Sequence, residues 1–459
     1  MSFQVFDRRT LLKAFGTAGW VPLIGTSMAG APYQPTQASS AKGSGKSVII
    51  PTHEWAGELD ERLDFPGDWE IEVLQMKGAK APVLTSQQIG RQLDQPVGAK
   101  PLREILGGKK RVLVTFDDLT RPAPIFTVMP WVIGELQAAG VRDENVLLLG
   151  AFGSHRPMTL TEVQAKLGKE APRRFAWQNH NVFDNVKEVG TTSFKNRIRI
   201  NQTFLAADCK VCISGVKAHE QAGLSGGAKA ILPGVSSVDT IEYNHRVILP
   251  NTKTAGTFKV FRNEMRLDMI EAARMAGVDF SLQILMNQKH LPVRVFSGDI
   301  VAAHQAAARL AVQHYATPTV KDADIVISNA YPVNNQAFRA RWWIDRTLRE
   351  GGTGVLIIQH PLGLDPVHYV NARASGRNGT TYFDMVERRG KSQLPQGTGL
   401  VVYSQYLTRT MTNNYPPATR FAAKWDEVIQ ILRERHKGQA RVAVYPYAGL
   451  QEEELPLDE

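Results

Sequence analysis

Four short stretches of this 459-residue chain hold side chains that could do chemistry together. Asp117-Asp118-Leu119-Thr120-Arg121-Pro122 sets paired carboxylates beside a hydroxyl and a guanidinium. Gly153-Ser154-His155-Arg156-Pro157 presents a histidine between turn residues. His219 to Gly234 reads HEQAGLSGGAKAILPG, and Glu242-Tyr243-Asn244-His245 follows it. Gly223, Ser225, Gly226 and Gly227 form a loop whose backbone N–H groups can approach a phosphate closely. The spacing is not that of a Walker loop. Lys229 can supply charge or, once desolvated, a nucleophilic amine. His155, His219 and His245 can each serve as acid, base or metal ligand.

The elements around these stretches alternate. Arg111–Phe116, Asn145–Gly150 and Cys209–Ser214 are short apolar runs ending at polar turns, as buried parallel strands do. Pro124–Gly140 has helical periodicity, Thr159 and Glu162 form a capping box, and Asn263–Gly277 reads as a capped helix. A second set follows: strands at Asp322–Ser328, Gly354–Gln359, Gly399–Tyr403 and Arg441–Tyr445, with a helix at Phe421–His436. The pattern predicts two α/β domains, residues 46–315 and 316–459, with functional loops at the carboxyl ends of strands.

Composition narrows the class. Lys+Arg number 54 against 44 Asp+Glu, a net charge of +10, yet the excess is scattered without a basic run, which disfavours nucleic acid. Two cysteines exclude a disulfide framework, and the Cys209-x-x-Cys212 spacing on a strand sends the two thiols to opposite faces. Residues 1–45 read as an export segment with a linker. Asp7-Arg8-Arg9-Thr10-Leu11-Leu12-Lys13 precedes a broken apolar stretch too short to span a bilayer. The paired arginines resemble a twin-arginine signal, which implies the export machinery as a partner, a periplasmic address and no stable membrane insertion after cleavage.

The four stretches, taken with His180 and Gly190-Thr191-Thr192-Ser193, resemble the lactate racemase family. Its members use a nickel-pincer nucleotide, a pyridinium mononucleotide whose thio-acyl arms grip nickel and which dedicated biosynthesis enzymes supply. The resemblance implies that Lys229 tethers one arm and His245 ligates nickel. It further implies that Asp118, Thr120 and Arg121 hold the nucleotide, that Ser225, Gly226 and Gly227 lie near its phosphate, and that the cofactor sits at the cleft between the domains. His155 and His219 match two bases on opposite faces of a 2-hydroxy acid, whose carbon is inverted through a planar 2-keto intermediate. In the second domain the family's substrate-binding Gln and Lys fall on Arg339 and Trp342. The expected substrate is therefore not lactate but a larger hydroxy acid such as a sugar acid, with Arg339 on its carboxylate. A hydroxy-acid oxidoreductase and a non-catalytic periplasmic binding protein are the alternatives.

Overall fold

Two parallel sheets organise the molecule, each with helices on both faces. The computed structural model describes residues 46–334, 337–363, 397–407, 415–416 and 418–458. Residues 1–45, expected to direct export, lie outside them. From Gly45 onward the described residues pack as one compact unit.

The first sheet runs, in spatial order, Pro292–Gly298, Phe280–Met286, Cys209–Gly215, Val112–Phe116, Val146–Gly150, Ala176–Asn179. All neighbours are parallel except the edge pair 280–286 and 292–298. Val112–Phe116 is buried at every position, which explains its unbroken apolar run. The chain lays 112–116, 146–150 and 176–179 in one direction, then returns to place 209–215 on the other side of 112–116. The order reverses there, so the loops after Phe116 and Gly215 open into a crevice that no helix covers. Cys209 packs into the core on one face of this sheet and Cys212 into that on the other, both as free thiols. Burial pushes both up to about 12, which makes them poor nucleophiles.

The second sheet orders Arg420–Ala422, Gly399–Tyr403, Leu348–Ile357, Ala323–Asn329, Arg441–Tyr445, Glu70–Val73, all parallel. Its last strand corrects the assignment of residues 46–315 to the first body. Glu70–Val73 pairs with Arg441–Val444, and the hairpin Lys46–Thr52 with Leu59–Phe65 buries Val48, Ile50, Leu63 and Phe65 against the second sheet. The apolar residues alternate along that hairpin, so its inward face needs a sheet to cover it, and the first sheet's faces are already filled. Among the described residues, no helix is long and apolar enough to cross a membrane.

Candidate active site

The carboxyl ends of three neighbouring strands carry the site. Asp117 and Asp118 follow Val112–Phe116, His155 follows Val146–Gly150, and the loop to Lys229 follows Cys209–Gly215. One cavity is lined by Asp118, Arg121, His155, Ser225, Gly226 and Lys229, with Phe152 and Pro233 closing it. Six residues singled out from the sequence thus meet in one place.

The 117–121 turn is held from below. Asp117 forms an ion pair at 2.6 Å with fully buried Lys166, which also donates to the Arg121 carbonyl at 2.6 Å. Sequence reasoning missed Lys166, which sits on a capped amphipathic helix, Leu160–Leu167, and looks like an ordinary solvent lysine. Asp118 then turns outward. It accepts the Thr120 amide at 2.7 Å and lies 2.6 Å from His155 Nδ1. Burial alone would raise the Asp118 carboxyl, but the His155 imidazole and Arg121 outweigh it and hold it well below the usual carboxylate range. An ionised Asp118 therefore takes the Nδ1 proton of His155 in a hydrogen bond, which makes Nε2 the acceptor nitrogen of the neutral ring.

His219 is set the other way. Its Nδ1 accepts the amides of Gln221 and Ala222 at 3.3 and 3.2 Å, so the neutral ring carries its proton on Nε2. Burial, then the nearby Lys229 ammonium, pushes its pKa well down. The two histidines expected as equivalent bases thus stand in opposite proton states, His155 as acceptor and His219 as donor. Both bonds at His219 are long and weak, so the ring can be released from them at small cost.

Lys229 lies on a single tight turn, Gly227–Ala230, and is 8% exposed. Burial, then Arg121 and Arg266, pushes its amine well below the ordinary lysine range, toward the neutral, nucleophilic form. The glycines before it are required by contact. A Cβ on Gly226 would meet the Gln283 side chain at 2.7 Å, and one on Gly227 would meet the His304 ring at 2.7 Å. Gln283, on the strand Phe280–Met286, and His304, on the helix Ala302–Tyr315, both lie outside the four stretches that the sequence singles out. The same contacts correct the picture of an open phosphate cradle. The Ser225 hydroxyl donates to the Gly215 carbonyl at 2.7 Å, and the Gly227 amide donates to Gln283 at 2.9 Å. Those donors are committed, so Ser225 and Gly227 shape the loop, and Arg121 and Lys229 are the cations that face the cavity.

His245 sits in one π-helical turn, Asn244–Ile248, after the helix Val238–Tyr243. Such turns often mark functional positions. Its Nδ1 bonds the Ile241 carbonyl at 3.0 Å, which fixes the proton on Nδ1 and leaves Nε2 as a lone pair. Burial, then Lys229, pushes its pKa down to about 4, so Nε2 is unprotonated at neutral pH. Asn244 is anchored beside it: its side chain donates to buried Asp268 at 2.8 Å, which Thr192 and Asn196 also hold. Asp268 was not legible as a partner because it lies 24 residues further on. His180 is a structural residue, bonded to the Ser236 carbonyl and Asn201.

The second body contributes Arg339 and Trp342 from the helix Phe338–Thr347. Arg339, expected on the substrate's carboxylate, has an acid beside it. It pairs with Glu220 at 2.6 Å, next to His219. The guanidiniums of Arg339 and Arg346 each lie 5.8 Å from the Trp342 ring. Trp343 packs on Tyr445 inside the core.

A second cavity adjoins the first across the Asp118–His155 pair, lined by Trp55, Leu119, Met158, Leu362 and buried Glu54. Burial pushes Glu54 up to about 8, against two donors from Asn334 that pull the other way. The fold thus favours the protonated carboxyl. That contribution is complete below the ordinary value of 4.5 and is lost as pH climbs through about 8. Chemical denaturation across this window should show stability falling by a few kcal/mol, and Glu54→Gln should remove the slope. An unchanged slope in the variant would place the titrating group elsewhere.

Known proteins resemble this chain in sequence and in fold. Residues 57–256 match the lactate racemase N-terminal domain. Lactate racemase from Thermoanaerobacterium thermosaccharolyticum is 31% identical over 290 residues, 62% of this chain and 68% of that protein. Lactate racemase from Lactiplantibacillus plantarum is 29% identical over 278 residues, 59% of this chain and 65% of that one. The solved lactate racemase apoprotein from T. thermosaccharolyticum shares the fold at a TM-score of 0.64 and 22% identity, covering 88% of this chain and 99% of that chain. On the strength of the 31% match, this chain is a member of the lactate racemase family.

Proposed function

We propose that the protein is a nickel-pincer-nucleotide-dependent racemase or epimerase of a 2-hydroxy acid other than lactate. The observation that carries this reading is one buried cavity where Lys229 and the Asp118–His155 pair meet, with His245 close enough to Lys229 and His155 for their charges to act on it. The residues fit the cofactor. A desolvated amine at Lys229 suits a covalent tether, the free Nε2 of His245 suits nickel, and Arg121 faces the cavity as a phosphate partner. When bound, the nucleotide would supply an electrophilic centre able to accept hydride from carbon.

The chain's own groups then handle the proton and the orientation. His155 Nε2 accepts the substrate's hydroxyl proton, and ionised Asp118 steadies the imidazolium that results. His219 offers its Nε2 proton from a second position. Once its ring leaves the Gln221 and Ala222 amides, it can take the reciprocal part for the other stereoisomer. Removing hydrogen as hydride suits this substrate, because a C–H beside a carboxylate is a poor acid. Trp342, filling the family's Lys position with two arginines against its ring, removes one carboxylate partner and supports a substrate other than lactate.

The test is a screen of single-enantiomer 2-hydroxy acids, sugar acids included, with protein made alongside the cofactor-synthesis enzymes. Chiral chromatography should show loss of optical purity for one substrate class with loaded protein and none with unloaded protein. Net conversion to a keto acid would favour an oxidoreductase, and binding without turnover a binding protein. Export through the twin-arginine route to the periplasm belongs to the same proposal, motivated by Arg8-Arg9. Replacing both with lysine should leave the protein in the cytoplasm, and unchanged export would refute it.

A further inference from the structure

We infer that Lys217 is the principal cation for the substrate's carboxylate, an inference that rests on the reading of the chain as a hydroxy-acid enzyme. Lys217 is 2% exposed, and its amine has no hydrogen-bond or ion-pair partner among the described residues. Burial, then Arg339 and Arg121, pushes its amine well below the ordinary lysine range, so this buried nitrogen takes up its charge where an anion comes to lie against it. The backbone shows where it stands. The hairpin pairs Ala218 with Leu224 and His219 with Gly223, and Lys217 continues it by exchanging bonds with Ser225. On extended backbone, residues two apart point to the same side, so Lys217 shares a face with His219.

A second observation points to the same missing anion. Arg339 gives one nitrogen to Glu220, but its Nε is buried without a partner. Lys217 and Arg339 are close enough for each charge to act on the other, with Arg121 also in range. The acids nearby do not balance them. Glu220 is already committed to Arg339, and burial raises Glu452 toward its neutral form. Two buried nitrogen donors, the Lys217 amine and Arg339 Nε, thus lie within reach of each other's charge and lack an acceptor among the described residues. A carboxylate fits this demand: it is planar, singly charged, and offers an oxygen to each donor. The cofactor's phosphate is the less suited anion, because Lys217 is absent from the wall of the cavity that Lys229 and Arg121 line. The lysine that the helix lacks at Trp342 is in this way replaced from the opposite body.

Thermal melting of the unloaded protein, with and without lactate, mandelate or D-gluconate and their amides, tests this without turnover. At least one acid should raise the wild-type melting temperature while its amide does not. Lys217→Met should melt higher than wild type without ligand and lose the response, whereas Lys217→Arg should keep part of it. In loaded protein, Lys217→Met should raise KM by about tenfold to a hundredfold with a smaller change in kcat. Should Lys217→Met fail to fold, Glu220→Gln serves instead. Freeing the Arg339 fork should then tighten acid binding several-fold. A wild type indifferent to every acid, an intact acid response in Lys217→Met, or a response unaltered by Glu220→Gln overturns the assignment. So does loss of nickel and covalent mass in Lys217→Met with the response kept, which would mark a phosphate ligand. A wild type that binds the acid but inverts none would instead defeat the racemase reading and leave Lys217 as an anion site.

Discussion

Lys229→Ala protein, produced together with the cofactor-synthesis enzymes, is expected to show the bare chain mass, while wild type carries a covalent addition of nucleotide size. The amine is the one group in the cavity with both the chemistry and the desolvation to be tethered. His245→Ala is expected to keep the covalent addition and lose nickel, since it removes the nitrogen whose lone pair the Ile241 contact exposes. The pair of variants separates tether from ligand. Intact mass and metal analysis read the two independently, and wild-type protein with neither added mass nor nickel would refute both assignments. Thermal unfolding should change little in Lys229→Ala, whose amine has no hydrogen-bond partner among the described residues, and should fall modestly in His245→Ala, which loses the Ile241 contact.

The second large effect concerns proton transfer. His155→Ala should lower turnover by about two orders of magnitude or more, with nickel and mass retained, because it removes the acceptor that Asp118 orients. Asp118→Asn should cost activity through the same ring. An amide at that position can donate to Nδ1 and so favours the tautomer with Nε2 protonated, which cannot accept. His219→Ala should fall by a similar order, but His219→Gln should recover part of the loss, since its amide can still donate where the Nε2 proton stood. A glutamine at 155 should recover nothing. Equal rescue at both positions would mean that the two histidines are interchangeable after all.

Much of this site is legible in the sequence, and the reasons differ by residue. The strand 112–116 shows itself because both its faces are buried, so apolarity runs unbroken. The capping box at Thr159 and Glu162 is local chemistry, and the helix begins where that chemistry places it. The long HEQAGLSGGAKAILPG run is specific because its glycines are forced by contacts from Gln283 and His304, although those partners themselves are silent. What stays hidden is long-range pairing. Glu70–Val73 reads as a short exposed segment until the second sheet offers it an edge. Lys166, Asp268 and Glu220 look like surface charges because nothing nearby in sequence says that Asp117, Asn244 and Arg339 will meet them. The proton states of His155 and His219 are equally invisible, since one depends on Asp118 being brought to Nδ1 and the other on a turn that aims the Gln221 and Ala222 amides at it.

The most direct measurement follows the hydrogen at the reacting carbon. Loaded protein is given a single enantiomer of its hydroxy acid, deuterated at carbon 2, in ordinary water, and the product is resolved on a chiral column into a mass spectrometer. The account predicts that the opposite stereoisomer appears with deuterium still on carbon 2, and that its formation is slowed relative to the undeuterated acid if hydrogen transfer limits the rate. Product of inverted configuration carrying hydrogen from water, or a keto acid accumulating with no inverted product, would contradict it.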